Sequence, residues 1–180
     1  MSTEPSPGWL QLPVDQRCES LWIPLHDGEL VGIASDFDAG RITLSFEVEY
    51  VRQFHDLPED FRFLVQLDGV QSAKILRYGE ESIPWADYES SFANAKTSLE
   101  VAEAEFACAP EGTITLSVVG NHDHGREYRQ IYSVAGQITF LRSDGEHLGL
   151  DAFRAFGEQY WAAWSDGKVE SSIHLRPGVD

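Results

Sequence analysis

The sequence has few cysteines and no long apolar run. Its two cysteines, Cys18 and Cys108, form no CxxC pair, so neither a zinc framework nor a disulfide-stapled domain is expected. No apolar stretch approaches the ~18 residues of a membrane span, and the first residues lack the basic and apolar regions of a secretory signal. We therefore expect a cytoplasmic protein with two reduced thiols.

Positive charge is also scarce. The chain has 13 Lys and Arg against 30 Asp and Glu, a formal net charge of −17. Such a surface repels nucleic-acid backbones and anionic membranes, so neither is expected as a partner. A basic protein would be attracted, although the same acidity is also an ordinary means of staying soluble.

The motifs of common enzyme classes are missing as well. The sequence contains no GxSxG elbow, no P-loop, no HExxH, no GxGxxG and no cysteine in a basic setting. The absence of motifs does not exclude an enzyme, but it favours a protein without catalytic activity. No cofactor is expected on that interpretation.

Alternating apolar and polar residues are the dominant pattern in what is present. Residues 41–51 alternate throughout, which predicts a half-buried antiparallel strand. Similar patterns predict strands at 29–36, 61–67 and 70–78, and Asp68-Gly69 predicts the turn between the last two. These four strands are expected to form a meander.

One stretch of sequence recurs. Residues 51–69 resemble residues 119–136, with one constant offset for the pairs matched below, and Ile42-Thr43-Leu44-Ser45 reappears further on as residues 114–117. This predicts a duplicated unit of roughly 65 to 70 residues, in which segments 29–79 and 99–143 superpose. The matched pairs are His55 with His122, Asp56 with Asp123, Phe61 with Tyr128, Arg62 with Arg129 and Gly69 with Gly136.

The second unit is less clear at its start. Residues 99–108 also fit a helical stripe and are rich in Ala and Glu. We predict a strand, because the repeat places it where 29–36 lies and because Pro110-Glu111-Gly112 is typical of a hairpin turn. Strands at 113–120, 127–135 and 137–142 complete this second meander.

Two helices are predicted, each after a meander. Aromatic residues at helical spacing begin at Trp85 and continue toward Ala95, and a stronger aromatic stripe runs from Leu150 to Trp164. Gly157 inside the second stripe costs about 1 kcal/mol relative to Ala, so we expect a sheet or an aromatic ring to approach it closely. The predicted core includes four large side chains, namely Phe46, Phe63, Leu116 and Trp161.

Each unit thus reads ββββα. The predicted fold is α+β, dominated by antiparallel β, with the two repeats packed as one sandwich-like or curved-sheet domain and an aromatic C-terminal helix. The predicted boundaries are a loose N-terminal arm at 1–20, a first unit at 21–97, a second unit at 98–167 and a tail at 168–180.

Three His-Asp dipeptides stand in predicted loops, the first of them His26-Asp27. Imidazole and carboxylate are the ligands of zinc and non-haem iron sites, which need three or four such groups at one point. The alternative is that each Asp binds backbone amides in a turn and each His is merely its neighbour. The candidate metal ligands are His55, Asp56, His122, Asp123 and His124.

Acidic pairs on the solvent faces of strands offer another kind of site. Glu47 and Glu49 lie on the polar face of the strand predicted at 41–51, where charge usually protects a sheet edge. If the protein binds a basic partner, these two residues are candidates for the interface.

The stretch Leu25-His26-Asp27-Gly28-Glu29-Leu30, with the hairpin that ends in Ile42-Thr43-Leu44-Ser45-Phe46, resembles the opening of several small bacterial domains of unknown function. They include immunity-protein families of the polymorphic-toxin type. The resemblance implies a non-enzymatic, partner-binding protein, and no catalytic residues transfer with it.

Three functions follow as hypotheses. The leading one is a non-catalytic acidic module that binds a basic protein. The others are a metal-dependent enzyme built on the His-Asp loops and a structural protein that dimerises through its aromatic helix. The oligomeric state is not predicted.

Overall fold

The structure is a computed structural model that describes residues 9–77, 82–93, 97–122 and 127–169. Within these ranges no helix is long and apolar enough to cross a membrane. The strands are β1 Arg17–Ser20, β2 Glu29–Asp36, β3 Arg41–Glu47, β4 Phe63–Asp68, β5 Ser72–Arg77, β6 Ser82–Ile83, β7 Leu99–Cys108, β8 Ile114–His122, β9 Glu127–Ala135, β10 Gln137–Arg142 and β11 His147–Leu148. The helices are α1 Trp22–Leu25, α2 Glu49–Phe54, α3 Trp85–Ala93 and α4 Leu150–Ser165.

The prediction of a mostly antiparallel β protein with an aromatic C-terminal helix is confirmed, since every strand pair within the described ranges is antiparallel. β2 and β7 begin and end where the sequence predicted strands. Residues 99–108 form a strand despite their Ala/Glu-rich composition, because about every second side chain is buried in the core. The hairpin turn at Gly112, with φ +95°, then pairs β7 with β8.

The strand predicted at 41–51 is too long. β3 ends at Glu47, and the chain turns into α2 from Glu49. The alternation continues past the end of β3 because Val48 and Tyr50 are both buried. An alternating strand would bury the same two residues, but Tyr50 lies in a helical turn. Its hydroxyl donates a hydrogen bond to the carbonyl oxygen of His26.

The predicted four-strand meander is also wrong. β2, β3 and β4 are neighbours, and so are β7, β8 and β9, but the fourth strand of each half pairs with the third strand of the other half. β5 pairs with β9, and β10 pairs with β4. Together with the short β2–β7 pairing, this exchange joins the strands into one sheet in the order β11-β10-β4-β3-β2-β7-β8-β9-β5-β6, with β1 beside β7.

The exchange passes through two glycines. Gly69 and Gly136 both lie where a third strand leads into a fourth, and a Cβ on Gly69 would stand 3.5 Å from the Gly136 nitrogen. The Gly136 amide donates to the carbonyl oxygens of Asp68 and Gly69. Gly69 has a left-handed φ of +64°, which an L side chain adopts only with strain.

The halves share an order of strands, although α2 between β3 and β4 has no counterpart in the described residues between β8 and β9. The residue pairs matched in the sequence are not equivalent in burial. Each fourth strand is followed by a two-residue strand and a helix, β6 then α3 and β11 then α4. Phe61 is buried, whereas Tyr128 is 41% exposed, and Arg129 is buried, whereas Arg62 is half-buried. An odd shift of register turns each side chain to the other face of its strand, so the sequence offset does not align the strands by burial. The superposition of segments 29–79 and 99–143 stays a prediction.

The predicted core is confirmed at Phe46, Phe63 and Leu116, each at most 1% exposed. Trp161 is the exception, because it is only partly buried. Two other rings of this helix, those of Phe153 and Tyr160, are fully buried. Trp161 lies at the edge of that buried face and borders the solvent.

The N-terminal arm contacts the outer face of the sheet within its described part. The Gln130 side chain accepts a hydrogen bond from the Leu10 amide and donates to the Leu10 carbonyl and to Ser117. β1 pairs with β7 and places Cys18 on the surface. Residues 1–8 of the predicted arm and 170–180 of the predicted tail lie outside the described residues, as does Ala95.

Candidate functional site

Two adjoining clefts lie where α1 meets α4 and β7. We call the first, of about 390 Å³, the tryptophan cleft; it is lined by Trp22, Ile23, His26, Glu158 and Trp161. The second, of about 370 Å³, is the acidic cleft; it is lined by Ser20, Trp22, Ala102, Glu103, Ala104 and Glu105. Trp22 lines both, so the two clefts form one continuous surface.

α1 presents Trp22 and Ile23 to solvent because the other side of this short segment is fixed in the core. Leu21 and Leu25 are fully buried, while Trp22 is 42% and Ile23 38% exposed. The indole Nε1 of Trp22 donates to the carbonyl oxygen of Ala102 at 3.1 Å. Trp22 is therefore exposed but held in a defined position.

A glycine allows α4 to come this close. A Cβ on Gly157 would lie 2.5 Å from the Ile23 carbonyl oxygen and 2.7 Å from the Pro24 Cα. The Nε1 of Trp161 donates to the same Ile23 oxygen at 3.3 Å. The close approach predicted at Gly157 is present, but the neighbour is the backbone of α1 rather than a sheet or a ring.

The ring of His26 lies between the two tryptophans in the lining of the tryptophan cleft. Its ring centroid lies 3.9 Å from that of Trp22 and 5.3 Å from that of Trp161. Its Nδ1 lies 3.4 Å from the carboxylate of Asp27. Asp27 has a φ of +55° and directly follows the C-terminal cap of α1, so this His-Asp dipeptide ends a helix.

The charge around the clefts is negative. Within the described ranges, Glu103, Glu105 and Glu158 form neither an ion pair nor a hydrogen bond through their carboxylates, and all three are exposed. Arg17 and Arg154 both bind Glu19, at 2.6 Å. The hydrogen bond from Arg154 is the main reason why the pKa of Glu19 is lowered, despite some desolvation.

The structure does not bring the predicted metal ligands together in its described part. The Nε2 of His55 donates to the carbonyl oxygen of Phe156 in α4 at 3.0 Å, and Asp56 has a left-handed φ of +51° just after α2. Asp123 and His124 lie outside the described residues. Across the part of the chain that the structure describes, no group of three or more His, Cys, Asp and Glu side chains could hold a metal ion.

His122 joins a polar network that the sequence did not reveal. Its Nδ1 donates to the Ser98 carbonyl at 2.6 Å, so in the neutral ring Nε2 accepts from the Tyr88 hydroxyl at 2.8 Å. Glu127, opposite His122 in the ladder, binds buried Arg129 at 2.5 Å. Burial raises the pKa of Tyr88, so this phenol keeps its proton to higher pH than an exposed tyrosine.

The predicted interface glutamates, Glu47 and Glu49, line neither cleft. Glu47 pairs with Arg62 at 3.1 Å, and Glu49 is 3.9 Å from Arg52 and accepts from Gln53. Gly28 packs on the backbone at Glu47, so the loop that follows His26 lies against the end of β3.

Sequence reasoning missed Trp22 and Glu158, and it assigned Trp161 to the core. The run from Leu21 to Leu25 could have revealed the exposed residues. It contains four apolar residues around a proline, which is more than one buried face can hold. No family model matches the chain, and no curated protein or solved structure matches it.

Proposed function

We propose that the protein is a non-catalytic binding module that engages a basic protein partner through the tryptophan cleft and the acidic cleft. One observation carries the proposal: Trp22 is half exposed yet held in place, and carboxylates without a cation surround it. Exposed apolar patches with polar rims mark interaction sites, and tryptophan is enriched among the residues that dominate binding energy.

The charge distribution supports a basic partner. Each arginine in the described ranges already forms an ion pair with an Asp or Glu. The surplus charge of the molecule is therefore carried by carboxylates such as those of the acidic cleft. Such a field speeds the encounter with a cationic surface, and salt weakens it.

Glu47 and Glu49 extend this surface in the proposal. The loop from His26 to Gly28 connects them to the tryptophan cleft, so one partner could cover both. Their own pairing with Arg62 and Arg52 suits them to steering at the rim rather than to the centre of the interface.

The resemblance to immunity-type domains supports the same function, because such proteins act by binding another protein. We further infer that the two halves arose by duplication. The support is the shared order of strands and the reciprocal exchange of the fourth strands.

The test compares wild type with Trp22→Ala in their association with a protein partner isolated from cells. We expect Trp22→Ala to weaken affinity by about a hundredfold, as for a central aromatic residue. Association should also slow between 0.01 and 0.1 M salt, where the Debye length falls from about 30 Å to about 10 Å. Glu111→Lys, on the exposed β7–β8 turn, is the matched control.

Three outcomes would contradict the proposal. Partners that bind Trp22→Ala as well as wild type would remove the cleft from the interface. A concentration-dependent dimer abolished by Trp164→Ala would favour the structural alternative, since Trp164 is 48% exposed. Stoichiometric zinc or iron, lost together with an activity in His122→Ala, would favour the metal-dependent enzyme.

A further inference from the structure

We propose that the two clefts take two basic side chains of one partner segment. The first lies against Trp22 and Trp161 with Glu158 as its counter-ion, and the second lies between Glu103 and Glu105. This inference rests on the proposed function and specifies the chemistry of the partner.

The tryptophan cleft suits a long cationic side chain better than an apolar one. Two indoles and Ile23 offer apolar walls, and Glu158 is the one carboxylate in the lining. Lys and Arg pack their stems on apolar surface while the charged head reaches a polar group. An apolar occupant would cover the same walls but would desolvate the Glu158 carboxylate without pairing it.

Arginine fits this cleft better than lysine. Its planar guanidinium stacks on an indole face and binds a carboxylate through two parallel hydrogen bonds. Trp22 cannot turn away from such a ligand without breaking its own hydrogen bond to Ala102.

The acidic cleft presents two carboxylates from one strand face. Glu103 and Glu105 are exposed on β7, while Ala104 between them is buried, so the two glutamates point to the same side. Two neighbouring like charges repel, and a cation between them removes the repulsion. A basic side chain is therefore the favoured occupant.

Trp22 links the two sites into one. Because this residue lines both clefts, one short segment can reach both at once. Alternate residues of an extended segment lie on the same side, about 6.6 to 6.8 Å apart. The segment that fits is therefore basic at two positions with one residue between them.

A cationic margin limits the site to two basic residues. Arg154 donates to the Ser20 carbonyl and to Glu19, and Arg17 binds the same Glu19. Beyond Ser20 the partner therefore meets two arginines that share one carboxylate, and a third basic side chain there would be repelled.

The test uses three short probes, acetyl-Arg-Ala-Arg-amide, acetyl-Arg-Ala-Gln-amide and acetyl-Gln-Ala-Gln-amide. Binding is measured by tryptophan fluorescence and calorimetry in 0.01 M salt. We expect the two-arginine probe to bind about tenfold more tightly than the one-arginine probe, and the neutral probe not to bind.

Charge-neutral variants separate the two clefts. The double variant Glu103→Gln/Glu105→Gln should reduce the two-arginine probe to the affinity of the one-arginine probe and leave the latter unchanged. Glu158→Gln should weaken both probes several-fold. The double variant Glu111→Gln/Glu59→Gln makes the same change of net charge at exposed positions outside both linings and should leave both affinities unchanged. These exposed substitutions should also leave the melting temperature unchanged.

The possible failures are distinguishable. Equal binding of the first two probes, no binding of either at millimolar concentration, or equal weakening by the control variant would overturn this inference. If a protein partner still depends on Trp22 in that case, the proposed function stands. If the probes behave as expected but no partner depends on Trp22, the cleft is a cation site and the proposed function fails.

Discussion

His55 caps α2 in the first half and His122 ends β8 in the second, and each contacts the helix that follows the other half. His55 lies between β3 and β4 and donates from Nε2 to the backbone of α4. His122 ends β8, before β9, and its Nε2 meets the Tyr88 hydroxyl of α3. One arrangement of strands therefore supports two different histidine contacts with a helix.

The surroundings of the two contacts differ in kind. Near His55, the ring of Phe63 packs against those of Phe153 and Phe156, each 5.2 Å away. Near His122, the neighbours are the ion pair of Glu127 with Arg129 and the phenol of Tyr88. Aromatic rings surround the contact of His55 with α4, whereas polar groups surround the contact of His122 with α3. Packing depends on volume, while a polar network depends on pH and on complete hydrogen bonding.

The largest expected loss of stability is among the aromatic rings near His55 and α4. Phe63→Ala should lower the free energy of unfolding by about 3–5 kcal/mol, because a fully buried ring leaves a cavity. The matched change Phe37→Ala beside α3, where the ring is 53% exposed against Trp85, should cost less than about 1 kcal/mol. Urea denaturation measures both, and similar losses would show that the α3 end is also closed by apolar packing.

The next effect concerns the helix contact itself. Gly157→Ala should cost about 1–3 kcal/mol, because the added methyl collides with the backbone of α1. Ser90→Ala on the exposed side of α3 should change stability little. Thermal denaturation gives the stability, and tryptophan fluorescence should report the displacement of Trp161. A Gly157→Ala variant as stable as wild type would mean that α1 yields easily.

A smaller loss of stability is expected among the polar groups near His122 and α3. Tyr88→Phe should cost about 1 kcal/mol at neutral pH, the usual net value of a lost hydrogen bond. Burial raises the pKa of Tyr88 above its ordinary value of 10.0. Its contribution is therefore fully present below pH 10 and lost as the pH rises further, so the variant should lose less stability above pH 10 than wild type. Parallel pH curves for the two proteins would contradict this.

The smallest effect is at low pH. The hydrogen bond from Arg129 holds the pKa of Glu127 below its ordinary value of 4.5. Stability from this group is present above pH 4.5 and is lost as the pH falls through the folded-state pKa. Glu127→Gln should flatten the dependence of stability on pH below 4.5, whereas Glu111→Gln should not. Equal slopes in urea titrations would place the acid-sensitive group elsewhere.

Local pattern was enough to predict individual elements. The bounds of β2 and β7 followed from alternation and turn residues, and the helical spacing of aromatic residues marked α3 and α4. The local pattern could not predict which strands pair. The alternation in residues 70–78 indicates which face of the strand is buried, but not which strand lies beside it. The exchange of β5 and β10 is set by long-range contacts at Gly69 and Gly136.

The candidate site was less predictable than the fold. Trp22 and Trp161 sit in apolar runs that fit a buried helix face, and their exposure follows only from how α1 lies on α4. The His-Asp dipeptides at His26 and His55 drew attention as possible ligands, yet both are helix ends with the Asp in a left-handed conformation. A dipeptide that suits metal binding by composition also suits a helix terminus.

The exchange of fourth strands has a consequence for protein synthesis. When a ribosome has released only the first half, β4 and β5 each lack the neighbour that β10 and β9 will later supply. Neither sheet edge can be completed until translation has nearly finished, and strand edges left open in this way promote aggregation. The two halves therefore complete each other's strand pairing only after both have left the ribosome.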